Sequence, residues 1–191
     1  VAAARQHRWT RGDWQLLPWV LGAHPSITPL GRWKMFDNLR RSLVAPAVLA
    51  GLALCWAGSA RPAWSLFLLA AVILPPLLPF LVSLLPRLED FTRASYLRTV
   101  RKEARQTALL IVLRLVFLAD QAWNMGDAIL RTLYRLTLSR RNLLEWTTAA
   151  QSKVRAASMA GGLLLSLSLL LLLLLHGPVP WIAGPFLLAW L

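Results

Sequence analysis

An all-α, polytopic membrane protein, with transmembrane helical hairpins and amphipathic interfacial helices, is the fold class this sequence predicts. Three observations predict it. The 191 residues are 57% hydrophobic and 15% charged, with a mean hydropathy of +0.54. Soluble domains average about 45–50% apolar and about 25% charged residues. Two long stretches, Ser42–Ala60 and Pro62–Pro86, carry no charge, and only Arg61 separates them. The charge that remains is one-sided: 21 Lys and Arg against 8 Asp and Glu, a net +13. Basic segments flanking apolar runs are the pattern of cytoplasmic loops, so lipid rather than nucleic acid is the expected partner. Cys55 is the one cysteine, which excludes an intrachain disulfide and a Cys-based metal site.

The first element, residues 1–41, is polar, basic and rich in tryptophan (Trp9, Trp14, Trp19, Trp33). Placed on a helix, Arg5, Arg8, Arg11 and Gln15 share an arc of about 120°, and Trp9 clusters with Leu16 and Val20 on the adjoining face. That is an amphipathic helix with a cationic stripe beside an indole, and Pro18 limits its regularity. The second element, 42–86, is a transmembrane hairpin. Each run is long enough at about 1.5 Å per residue to cross a hydrocarbon core of about 30 Å. Pro75, Pro76 and Pro79 should kink or break the second helix, with neighbouring helices satisfying the freed carbonyls.

The third element, 87–155, is a basic helical segment at the cytoplasmic interface. Arg87, Arg93, Arg98, Arg101, Lys102 and Arg105 open it; Arg131, Arg135, Arg140, Arg141, Lys153 and Arg155 close it. Between them Thr107–Ala119 is apolar except for Arg114. Placing Arg114 mid-membrane would cost about 2.5–3.5 kcal/mol on an insertion scale. A short interfacial or protein-buried helix is therefore expected there; the alternative is a re-entrant or third spanning helix with Arg114 paired to Asp120 or Asp127. The fourth element, 156–191, has no formal charge. It reads as a second transmembrane hairpin, a leucine-rich helix turning at His176–Pro180 into a helix cut short at Leu191. The positive-inside rule places 1–41 and 87–155 in the cytoplasm and both short turns outside. A start at Val1 and an end inside an apolar run are expected of an internal piece of a longer protein.

Two chemistries compete for the first helix. An interface anchor needs only arginine against lipid phosphate and tryptophan at headgroup level. A sugar-nucleotide site uses the same residues differently: guanidinium forks bind a diphosphate, and an indole face stacks on a sugar ring. His7, His24 and His176 lie far apart and support no metal site. Asp127 and Arg131, four apart, are a helix ion pair. Asp13 is expected to pair with an arginine, and Trp146 to anchor a docked helix.

Three strings carry a family resemblance. Arg5-Gln6-His7-Arg8-Trp9 resembles the Q-x-x-R-W motif of processive, membrane-embedded glycosyltransferases related to cellulose synthase. HRWTRGDWQLLPW (His7–Trp19), GRWKMFDNLRRSLVAP (Gly31–Pro46) and RRNLLEWTTAAQ (Arg140–Gln151) resemble, in order, the cyclic β-1,2-glucan synthases. That resemblance implies a bacterial inner-membrane enzyme that polymerises glucose from UDP-glucose and closes the chains into rings. This segment would hold the end of its transferase domain and the membrane helices that follow. Arg8 and Trp9 match the motif's Arg and Trp, whose implied roles are contact with the donor diphosphate and stacking on the acceptor. The motif's Gln falls on Arg5, a departure that leaves Arg5 available to the diphosphate. No D-x-D string occurs, so the implied divalent metal (Mg or Mn) and the catalytic base are expected outside this stretch, in the remainder of the same polypeptide. No catalytic residue is assigned here; Arg5, Arg8 and Trp9 are the substrate-binding candidates. The expected partners are UDP-glucose, the growing glucan and the bilayer. The alternatives are a transporter or scaffold module without catalysis, and a cellulose-synthase relative making another β-glucan.

Overall fold

A computed structural model describes residues 2–22, 26–58, 62–85, 93–139, 157–176 and 180–191. The Arg61 turn, His24, the RRNLLEWTTAAQ string with Trp146, and most of the 176–180 turn lie outside them. The described residues are helical: α1 Ala2–Gln15, α2 Leu17–Leu21, α3 Pro29–Ala57, α4 Pro62–Ser83, α5 Arg93–Val116, α6 Leu118–Tyr134 with a π-helical turn Arg135–Ser139, α7 Ala157–His176 and α8 Ala183–Trp190. No strand occurs among them, and the all-α membrane architecture stands.

Helix α3 starts where Thr28 accepts the Gly31 N–H on its Oγ1 at 3.1 Å, with Pro29 pre-set for the first turn. It joins a polar first half to an apolar second half without interruption, and with α4 it is long and apolar enough to cross a membrane. The two pack together, Leu68 of α4 lying over Gly51 of α3. Of the kink or break expected, the break does not occur: α4 is one helix through Pro75, Pro76 and Pro79. Each proline removes one N–H donor and crowds the carbonyl four residues back, which frees a few carbonyls without ending the helix. Leu66, Phe67, Leu74, Leu78 and Val82 of α4 stay exposed, as lipid-facing residues do.

The stretch 107–119 is not one helix. Phe117 interrupts it, α5 and α6 meet at 59°, and together they pass as one bent span or a re-entrant pair. Arg114 is exposed, and neither expected carboxylate partners it: Asp120 accepts from Asn124 at 3.1 Å, and Asp127 from His7 and Arg131. Trp190 of α8 donates its indole N–H to the Leu115 carbonyl at 2.7 Å, in the last turn of α5 where helical partners run out. With Arg98, Arg101, Lys102 and Arg105 before the bend and Arg131 and Arg135 after it, both ends should be retained on one side of the membrane. Cysteines placed at 100 and 130 in the full-length protein should react with an impermeant thiol reagent from the same side; labelling from opposite sides would make α5–α6 a broken span.

The centre of the fold is α6. Its buried face, Leu118, Ala119, Ala122, Asn124, Ala128, Ile129 and Thr132, is dominated by small residues and packs on α1, α3 and α7. Small side chains let helix backbones approach closely. At Gly162 of α7 an added Cβ would lie 2.9 Å from the Asp120 Cα, and one at Gly161 would run into the Trp123 indole. Buried hydroxyls stay satisfied within their own helices: Ser166 donates to the Gly162 carbonyl at 2.9 Å and Thr132 to that of Ala128 at 2.8 Å. Beyond α7, α8 closes the main core by stacking Trp190 on Trp56 with ring centroids 5.9 Å apart.

Candidate functional site: the face of α1

Alanines at 2–4 favour helix, and α1 ends at Gln15 because Pro18 has no N–H with which to continue the hydrogen-bond ladder to the Trp14 carbonyl. Pro18 then sits in the first turn of α2, where its missing N–H costs nothing. The expected limit on regularity is thus a clean break at Leu16.

Tertiary contacts decide which way α1 faces. Thr10 and Trp14 are buried and His7 half-buried, so positions 7, 10 and 14 form the docked face. Hydrogen bonds to α3 and α6 hold it. His7 Nε2 lies 2.9 Å from Asp127 Oδ2 on α6, and Arg131 donates to the other Asp127 oxygen at 2.7 Å. Trp14 donates its indole N–H to Ser42 Oγ at 2.8 Å, and the Ser42 hydroxyl in turn donates a hydrogen bond to the Leu39 carbonyl at 2.8 Å. Asn38 donates to Asp13 Oδ1 at 3.4 Å. Asp13, expected to pair with an arginine, takes this amide, with the Arg41 charge nearby. Burial pushes its pKa above the ordinary carboxylate value against both influences.

With 7, 10 and 14 docked, Arg5, Arg8 and Trp9 fall on the opposite arc. Arg5 is exposed, Arg8 is half-buried and Trp9 is 65% exposed. The Arg5 guanidinium sits 5.3 Å from the Trp9 ring centroid, over one indole face, in cation–π range. Arg5 and Trp9 therefore share one exposed surface, an indole with one face left for a ligand, and Arg8 lies half-buried at its edge with its Nε withdrawn from solvent. Sequence reasoning gave His7 no part in this. The residue that orients the helix pairs with a carboxylate 120 positions away, and no local signal announces that.

His7 makes the docking pH-dependent. Burial lowers its pKa below the ordinary histidine value of 6.5; Asp127 opposes this, and the Arg11 and Arg131 charges add to it. The undocked imidazole therefore takes up a proton first on acidification. Stability from this contact is fully present above about pH 6.5 and lost as pH falls toward the docked value. The thermal midpoint of the full-length protein in detergent should drop between pH 7.5 and 5.5, and His7→Gln should flatten that dependence.

Among the described residues no three His, Cys, Asp or Glu side chains come together as metal ligands. Asp13, Asp37 and Asp127 are engaged by Asn or Arg donors and Asp120, with one oxygen on Asn124 and the other unpartnered, stands alone, so the described residues bring together no ligand set for the divalent metal that the resemblance implies.

No family model matches the sequence. Over its whole length, in an alignment of 203 positions, the chain is 40% identical to the cyclic beta-(1,2)-glucan synthase NdvB of Rhizobium meliloti (strain 1021). It spans 7% of that protein's length. The resemblance read from three strings thus extends across the chain, which is similar from end to end to one segment of a cyclic β-(1,2)-glucan synthase.

Proposed function

We propose that this segment belongs to a membrane-bound glucosyltransferase that polymerises glucose from UDP-glucose into β-1,2-glucan, and that α1 forms one wall of its site. The observation that carries the proposal is the exposed Arg5–Trp9 pair with Arg8 half-buried beside it, set against a docked face at His7, Thr10 and Trp14. Arg8 meets the donor diphosphate, with Arg5 swinging from the indole to join it. Trp9 offers its open face to the acceptor glucose. These residues bind and orient. The base that takes the acceptor proton and the divalent metal on the diphosphate belong to the rest of the polypeptide. The positive-inside distribution supports a multi-pass protein of the bacterial inner membrane, with 1–41 and 87–155 cytoplasmic.

Trp9→Ala in the full-length protein should abolish most glucan formation from UDP-glucose in membranes while UDP binding and membrane insertion persist. Trp9→Phe should keep part of the activity, because a smaller aromatic face remains. The exposure of Trp9 also fits a bare interface anchor. In that case Trp9→Ala lowers the amount of inserted protein and leaves activity per molecule intact, which would sink the sugar-binding role.

A further inference from the structure

Packing explains the glycines at Gly51, Gly161 and Gly162, where an added Cβ would lie 2.9 Å or less from an atom of another helix. Gly12 of α1 has no such reason. A Cβ there would meet nothing within 4 Å, and the backbone is ordinary right-handed helix. Glycine weakens a helix relative to alanine. Among the described residues nothing in the fold offsets that loss.

The place of Gly12 on α1 supplies a reason. It follows Arg8 by four residues and Trp9 by three, so it lies on the arc between them, one turn further along. It is exposed, opposite the docked positions 7, 10 and 14. Side chains on a helix lean back toward its N-terminus and cover the preceding turn. Any side chain at 12 would therefore lean into the space between Arg8 and Trp9. Glycine leaves that space open and lets a ligand approach the backbone. The N–H groups of a helix interior are already hydrogen-bonded, so the space offers shape and no donor. That suits a neutral sugar ring and not a phosphate.

We propose that the space over Gly12 seats the glucosyl group of the donor, which makes Gly12 a specificity-determining residue of this face. The proposal rests on the reading of Arg8 as the diphosphate contact and of Trp9 as the acceptor platform. In that reading the transferred sugar bridges the two, because its anomeric carbon is bonded to the diphosphate and attacked by the acceptor hydroxyl. The acceptor oxygen bonds to that carbon, and the bond from the carbon to the diphosphate oxygen breaks with its electron pair leaving on UDP. The acceptor proton goes to a base in the rest of the polypeptide. Gly12 takes no part in these steps; it leaves room for the ring that undergoes them.

Binding of UDP-glucose and of UDP to the full-length protein in detergent tests this. Gly12→Ala should weaken UDP-glucose about tenfold and Gly12→Leu about 100-fold, the range for added carbons in a fitted pocket. UDP, which lacks the sugar, should keep its affinity in both variants. The thermal midpoint of Gly12→Ala should hold or rise, because alanine is the better helix former. Gly126→Ala on α6, where a Cβ is equally free of neighbours, should leave both affinities as they are. Unchanged UDP-glucose affinity in Gly12→Ala, an equal loss of UDP and UDP-glucose, or the same loss in Gly126→Ala would overturn the proposal. The reading beneath it fails separately. In that case Arg8→Lys and Trp9→Ala are silent too, whereas damage in those two beside a silent Gly12→Leu removes the role of Gly12 alone.

Discussion

Arg8→Lys in the full-length protein should lower glucan formation from UDP-glucose, per molecule of inserted enzyme, by about 10²–10³-fold, the usual loss on removing one preorganised donor at developing charge. The substitution keeps the positive charge and most of the length but replaces a rigid fork with a point charge. Arg8 sits half-buried beside the exposed Arg5–Trp9 pair, on a helix docked at positions 7, 10 and 14, so its guanidinium is presented in a limited range of directions. That preorganisation is what lysine does not reproduce. Arg5→Gln, which restores the residue of the resembling motif, should cost less, because Arg5 is exposed and already holds the indole face. A silent Arg8→Lys, alongside a silent Trp9→Ala, would leave α1 as an interface anchor.

Gly162→Leu should damage the fold strongly, costing about 3 kcal/mol, the upper end of the usual overpacking cost. The obstacle it meets is the backbone of α6: a Cβ at Gly162 already lies 2.9 Å from the Asp120 Cα and 3.1 Å from its nitrogen. Backbone has no rotamer with which to retreat, so α7 must move off α6 as a whole. Leu169 and Leu173 of α7 would be pulled out of the main core with it. Gly126→Ala provides the contrast on α6 itself, since nothing lies within 4 Å of a Cβ there. It should be neutral or slightly stabilising, as alanine is the better helix former. Thermal midpoints of the two variants in detergent, with membrane abundance, give the comparison. Equal midpoints would mean that the α6–α7 approach is not tight in the membrane.

Much of this protein was readable one window at a time. Hydropathy marked both residues 42–60 and the start of α4 at Pro62, because crossing a hydrocarbon core demands only length and apolarity. A 3.6-residue period put Arg5, Arg8 and Arg11 on one arc of α1, and Pro18 announced the break that follows. The strings around Arg8-Trp9 and Arg32-Trp33 carried the likeness to a glucan synthase, since linear identity needs no folding to be seen.

What the chain's order could not supply is which distant surfaces meet. Residues 107–119 looked like one short apolar helix, yet Phe117 divides them because Leu118 and Ala119 begin the small-residue face that α6 turns to α1, α3 and α7. The orientation of α1 rests on His7 and Asp127, and the site face is outward only because that pair is inward. Gly12 reads as a weak point of α1 until that docking turns it outward, between Arg8 and Trp9. Hydropathy and helical period are properties of neighbours along the chain. Close approach and open space are properties of complementary helix faces, which pair only once each helix has chosen its partner.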